Sequence, residues 1–405
     1  MVTPVMQGWA RRVASREGGG LRRPLGADAR GDLEVTWVRT GGRSRTPVVV
    51  LPGGPGMASV LPYATFRRRA AGQGLDVIMV EHRGVGLSGR TTEGAAIPRA
   101  AITVEAAADD TAAILAHLGV QRAVVVGSSY GTYLAQAVAV RHPHLVQALV
   151  LDSPILSVVD DLAATRSYRR ELLWDGRVPQ TADVAALVRQ VAGAGEPMAA
   201  LSHVVQVTYE LAGPQALAAL LRGRLDGRLG WVWDRLSRLG IDEIDEGGLP
   251  CWIEPAPVAG IAFGQLGYGL PPDGGPLDPQ LAFQEAAARQ PVFAGEPLDL
   301  VAEVPHYAWP TVVVTGDRDL CTPPPIAERL VDLAPGGVLA RLTDTGHGAL
   351  DSHQLALIDV VRAVRDGRTE HLDETSRAWN ALSRKGISGQ AGSLVERLVR
   401  ELGRP

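Results

Sequence analysis

At 405 residues the chain is longer than one minimal domain requires and has room for a core with a second, smaller unit. Hydrophobic residues make up 46% and charged residues 21%, with a net charge of −4, so nothing global suggests nucleic acid or an anionic membrane as a partner. No run of about 18 apolar residues is present to span a bilayer, and Cys251 and Cys321 have neither zinc-ligand spacing nor the makings of a disulfide framework.

Residues 1–30 hold six arginines against Glu17 and Asp28 and lack the apolar core of a secretory signal. They read as a poorly ordered basic segment, and a cytoplasmic location follows by default. From Leu33 onward short apolar runs alternate with helical patterns. Thr46 to Leu51 reads as a buried strand ended by Pro52-Gly53-Gly54-Pro55-Gly56, and Asp76 to Val80 as a second. Thr103 to Leu118 has helical spacing, with Gly119 at the C-terminal cap. A strand at Ala123 to Val126, a helix at Tyr133 to Val140 and a strand at Ala148 to Leu151 continue the alternation. That alternation predicts an α/β fold with a mostly parallel sheet covered by helices on both faces. After Pro154 strand signals stop until Thr311 to Val314, and the sheet pattern returns with a strand at Leu339 to Leu342 and a helix at Gln354 to Val364. A gap of about 150 residues is too long for a loop. Residues 155–305 are therefore expected to form a helical cap over the carboxyl ends of the strands, where open α/β sheets place ligands. The core would comprise residues 31–154 and 306–365. Residues 366–405 form a C-terminal extension with one helical stretch, Leu394 to Leu402, and are assigned no chemistry.

The strongest chemical signal is Gly127-Ser128-Ser129-Tyr130-Gly131, a G-x-S-x-G pattern directly after a strand and before a helix. A side chain on so sharp a turn needs small neighbours, and it stands at a helix N-terminus that favours developing negative charge. Ser129 is the expected nucleophile. It needs a base, and of nine histidines His347, in Thr343-Asp344-Thr345-Gly346-His347-Gly348 after the last strand, is the best placed. His82 is second. For the acid that orients the imidazole, Asp319, 28 residues before His347, is favoured over Asp317, which sits in the turn where an aspartate commonly caps its own backbone, and over Asp152 after the strand Ala148 to Leu151. Oxyanion donors are expected from the backbone N–H of Tyr130 and from the loop after Leu51, with Gly54 preferred to Gly53.

Gly53-Gly54-Pro55-Gly56, Arg83-Gly84-x-Gly86-x-Ser88 and Gly127-x-Ser129-Tyr130-Gly131, with Asp319 and Gly346-His347, resemble the proline iminopeptidase and tripeptidyl aminopeptidase group of α/β hydrolases. The resemblance implies the α/β-hydrolase fold, with the helical cap inserted after the sixth core strand. It also implies a metal-free exopeptidase that removes N-terminal residues from a small-molecule or short-peptide substrate through an acyl-enzyme, with no cofactor. Two positions depart from it. Pro52 stands where iminopeptidases carry His, which is closer to the tripeptidyl branch, and Glu81-His82 replaces Asp-Gln. Residues 155–305 hold 20 Asp plus Glu against 11 Arg, and an acidic cap suits an ammonium terminus. Glu171, Glu210 and Glu254 are the candidate contacts. The alternative is an esterase, lactonase or thioesterase acting on a hydrophobic small molecule with the same triad.

Overall fold

The computed structural model describes residues 2–26, 29–241, 248–369 and 372–389, together with 392, 395 and 397. Eight strands form one sheet in the order β1-β2-β4-β3-β5-β6-β7-β8. They are β1 Gly18–Gly26, β2 Ala29–Thr40, β3 Val48–Leu51, β4 Val77–Val80, β5 Ala123–Ser128, β6 Val146–Asp152, β7 Thr311–Gly316 and β8 Val338–Leu342. β2 runs antiparallel to β1 and β4, and every pairing from β4 through β8 is parallel. Valine runs build the centre: Val48 to Val50, Val124 to Val126 and Val312 to Val314 are all buried. Such strands have no polar face because helices cover both sides. One apolar layer includes Val49, Val125, Ile114 and Leu134; the other includes Val50, Val126, Leu357 and Val361. This is the α/β-hydrolase fold.

The first 26 residues correct the expectation of a poorly ordered end. Val2–Glu17 is a helix, and β1 pairs with β2 from Gly18 opposite Val38 to Gly26 opposite Ala29. Ala10 and Ala14 are buried in the core. Two of the arginines here have carboxylate partners: Arg22 meets Asp32 at 2.6 Å and Arg23 meets Asp110 at 3.0 Å. Glu17 bonds the fully buried Arg67 at 3.1 Å. The glycine run that disguised the strand is what lets it pair, since a Cβ on Gly18 would lie 1.8 Å from the Trp37 carbonyl oxygen.

Between β6 and β7 the chain is mostly helical, with Val158–Leu173, Ala182–Gly193, Met198–Leu225 and Gly230–Arg238 as its main helices. Leu173, Val188, Leu201, Leu221 and Trp233 form a core of their own, which Leu320 of the loop after β7 joins. Leu394 to Leu402 lies almost wholly outside the described residues. The described residues contain no helix long and apolar enough to cross a membrane.

Candidate active site

Ser129 sits between β5 and the helix Tyr130–Arg141 with φ 54° and ψ −124°. A non-glycine residue held there is strained, and the surroundings must impose the conformation. They do so by close packing on both sides. A Cβ on Gly127 would lie 2.2 Å from the Gly131 carbonyl oxygen, and one on Gly131 would lie 2.0 Å from that of Leu51. Both glycines of the motif are therefore dictated by backbone contact, and the serine is pushed out at the carboxyl edge of the sheet.

The loops after β7 and β8 bring two partners to it. His347 Nδ1 donates to Asp319 Oδ2 at 2.9 Å, and Nε2 lies 2.8 Å from Ser129 Oγ. With its proton on Nδ1, the neutral ring accepts the serine hydroxyl at Nε2. Asp319 is fully buried and also accepts from the backbone N–H groups of Cys321 and Thr322, each at 2.9 Å, and from the Thr322 hydroxyl at 3.1 Å. Burial alone would raise its pKa, but the His347 charge and these donors hold it below the usual carboxylate range. Burial would lower His347, yet Asp319 foremost, then Glu210 and Asp152, push it up to about 9. The arrangement can take a proton from Ser129 and hold the resulting imidazolium beside a fixed carboxylate.

The other candidates for base and acid have different partners. His82 Nδ1 donates to the Arg83 carbonyl at 2.5 Å, so its Nε2 accepts from the Tyr130 hydroxyl at 2.9 Å. Burial pushes His82 down to about 4, and it holds Tyr130 in place. Asp152 accepts from the Ser128 hydroxyl and from the backbone N–H groups of Ala349 and Leu350, fastening the segment after His347. Asp317 accepts from the Thr345 N–H at 3.2 Å. Neither bonds the imidazole.

Gly53 presses against the nucleophile turn, where its Cβ would lie 3.0 Å from that of Ser129. Gly54 has φ 113° and lines the same cavity as Ser129. Among the described residues, neither its N–H nor that of Tyr130 is taken up by a protein acceptor. The loop is braced from two directions. Glu81 accepts from the N–H groups of Ser59 at 2.5 Å and Val60 at 3.2 Å. From the helical insertion, the Tyr268 hydroxyl donates to the Gly54 carbonyl at 3.0 Å, Ala58 N–H to Trp252 O at 2.9 Å, and Glu254 N–H to Gly56 O at 2.8 Å.

The cavity above Ser129 and His347 has a volume of about 680 Å³. Its walls are largely apolar, with Ile155, Val158, Ile253, Phe263, Leu266 and Phe283 among them. None of the three candidate glutamates lines it, which corrects the expected substrate contacts. Glu171 is exposed beside a separate surface pocket with Arg170 and Asp175. Glu254 accepts from the Gly86 N–H at 2.5 Å and faces another cleft. Glu210 accepts from the Leu320 N–H at 2.9 Å, behind the acid loop, where burial first and then Asp319 push it up to about 7. Composition gave their charge, whereas their direction depends on tertiary packing. The carboxylates that do line the cavity are Asp161 and Asp351, and both already hold protein donors: the N–H groups of Leu156 and Ser157 on Asp161, and the Tyr63 hydroxyl on Asp351. Cys321 is exposed and lines the cavity, its sulfur accepting from Gln206 at 2.8 Å; both cysteines are free.

Residues 46–354 match the model of the alpha/beta hydrolase fold family. The chain belongs to that family. This hydrolase is 32% identical over 120 residues to a probable proline iminopeptidase of Streptomyces coelicolor, a match covering 29% of this chain and 35% of that protein. It is 39% identical over 83 residues to the polyketide synthase ThaQ of Burkholderia thailandensis, covering 20% and 4% respectively. The hydrolase thus spans well under half the length of both curated relatives. Among solved structures it resembles a thermophilic esterase from Thermogutta terrifontis, with TM-score 0.46, 18% identity and coverage of 86% of this chain and 98% of that one. It likewise resembles the esterase RhEst1 from a Rhodococcus species, with TM-score 0.47, 18% identity and coverage of 85% and 97%.

Proposed function

We propose that this hydrolase is a serine esterase or related acyl hydrolase, cleaving esters, thioesters or lactones of an apolar group through an acyl-enzyme. The observation that carries the reading is the unbroken chain from Ser129 Oγ through His347 to Asp319, opening onto an apolar cavity. His347 takes the Ser129 proton as the oxygen attacks the carbonyl carbon. The tetrahedral oxyanion is received by the N–H groups of Tyr130 and Gly54. His347 then returns the proton to the leaving oxygen or sulfur, and a water repeats the sequence to release the acid. A fluorophosphonate probe should label the wild type and fail on Ser129→Ala, and that variant should lose several orders of magnitude in kcat. Labelling that persists in the variant would point to another nucleophile.

Aminopeptidase action is the second reading, supported by the Gly53-Gly54-Pro55-Gly56 loop and by the partial similarity to a probable proline iminopeptidase. It needs an anionic seat for a substrate ammonium; the two carboxylates in the cavity wall, Asp161 and Asp351, are each anchored to the protein through one oxygen. An aminoacyl arylamide, its N-acetylated form and an aryl ester, compared as substrates, separate the readings. The esterase expectation is fastest turnover of the aryl ester and no loss on acetylation; a preference of 100-fold or more for the free amine, roughly the loss of one buried ionic partner, would favour the aminopeptidase.

A further inference from the structure

A buried cation stands among the apolar residues of the cavity wall. Arg169, on the helix Val158–Leu173 of the insertion, is 3% exposed and lines the same cavity as Ser129 and His347. Two of its nitrogens are held by neutral acceptors: Nε donates to the Leu320 carbonyl at 2.8 Å and Nη2 to Gln206 Oε1 at 2.5 Å. Leu320 directly follows Asp319, so the guanidinium is fixed to the loop that orients His347. Nη1 makes no hydrogen bond among the described residues, yet it keeps accessible surface. The acidic groups whose charge reaches the guanidinium are Glu210, Asp319 and Asp278, and these already hold the Leu320 N–H, His347 and Arg166. Burial foremost pulls the Arg169 pKa below the ordinary guanidinium value, although such a group stays charged at any working pH. A buried cation with no counter-ion in contact is costly. Its open nitrogen in a ligand cavity marks where a bound anion supplies one. The two carboxylates of the wall lie elsewhere: Asp161 is on the same helix but about 12 Å of rise before Arg169, and Asp351 follows His347 on the Tyr63 hydroxyl.

We propose that the substrate carries a carboxylate on the part lying against the insertion, received by Nη1 of Arg169. The preferred substrates are thus acidic esters with an apolar stem: half-esters of dicarboxylic acids, or esters of a hydroxy acid. A carboxylate fits better than a phosphate dianion, because a single nitrogen is offered and the wall around it is largely apolar. This rests on the serine acyl-hydrolase reading and narrows its substrate class.

Two series of esters test it: aryl esters of linear acids of graded length, and acetates of linear alcohols. Each chain ends in a methyl, a carboxylate, a carboxamide or an ammonium group. At its best length in one series, the carboxylate should exceed its methyl partner in kcat/KM by at least about tenfold, the worth of a hydrogen bond to a charged group. The carboxamide should gain much less. Arg169→Met should bring the carboxylate-to-methyl ratio to one or below. Gln206→Glu sets a carboxylate beside the guanidinium and should reduce the ratio, and it covers the case in which loss of the buried Arg169 hinders folding. Ratios are taken within each variant, so a change in overall rate does not enter. No carboxylate preference in either series at any length would overturn the proposal, as would a ratio unchanged in every folded variant. An equal gain from the carboxamide, or an ammonium preferred to the carboxylate, would also overturn it. Fluorophosphonate labelling of Ser129, measured alongside, separates the two levels: label without preference defeats this inference alone, and absence of label defeats the acyl-enzyme reading beneath it.

Discussion

The residues around His347 divide between those that act on its proton and those that hold its loop, and the two groups should respond differently to substitution. Asp319→Asn retains the shape of the carboxyl but favours the wrong imidazole tautomer, so kcat should fall by about 10⁴ with a small change in melting temperature. Asp152→Asn removes one acceptor from a buried cluster of three donors and should cost about 1–3 kcal/mol of stability with a far smaller effect on kcat. Thermal melts and steady-state rates on both variants test the division; a reversed order would move the acid role to Asp152. Glu210 supplies a pH test. Its charge is one of those that raise His347, and the base works only as neutral imidazole, so kcat/KM should climb as pH rises towards about 9. Glu210→Gln keeps an acceptor for Leu320 N–H and removes the charge. His347 then falls, and the acidic limb of the profile should shift to lower pH. A limb that stays in place would show that Glu210 is not felt at the imidazole. Ser129, His347 and Asp319 were legible in the sequence because loops after strands carry them in a fixed order. The role of Glu210 was not, because nothing local reveals which neighbour a helical carboxylate will meet.

Among the elements, the turn from β5 into the helix Tyr130–Arg141 is the most fully written in the sequence, since Gly127 and Gly131 are required by backbone distances of 2.2 and 2.0 Å. Gly131→Ala should therefore destabilise by about 1–3 kcal/mol or more, read as a lower melting temperature together with weaker fluorophosphonate labelling. β1 is the opposite case. Gly18-Gly19-Gly20 and Pro24 have weak strand propensity, and the strand exists because β2 offers an edge and Arg22 and Arg23 find Asp32 and Asp110. The strands β3 to β8 lay within two residues of their predicted ends, because a run of buried valines needs no knowledge of its neighbours to be recognised. Tyr268 belongs at this scale too, as the insertion's grip on the Gly54 peptide. Tyr268→Phe should lower kcat by roughly fivefold, about the worth of one such hydrogen bond, and leave the melting temperature close to wild type.

For the molecule as a whole, the first 26 residues are part of the core's support. Arg67 is fully buried and its ionic partner is Glu17, the last residue of the N-terminal helix. Removing residues 1–26 takes away the carboxylate paired with that guanidinium, leaving it the Ser59 carbonyl and the Thr40 hydroxyl, a loss of up to about 3–5 kcal/mol, and uncovers an edge of β2. A truncated protein should melt well below the full chain, and an unchanged melting temperature would refute this account. The helical insertion is bound to the sheet in an equally specific manner. Its segment from Trp252 to Glu254 exchanges main-chain hydrogen bonds with Gly56 and Ala58, and Tyr268 meets Gly54. The donor geometry proposed for the oxyanion is thereby shared by two stretches of chain some two hundred positions apart. Such an insertion is a poor module for exchange: a chimera that grafts another hydrolase's insertion onto this sheet would inherit a new specificity and lose the clamp on its own catalytic loop. Transplants at this fold position would have to carry the Gly53–Ala58 loop with them as a matched pair.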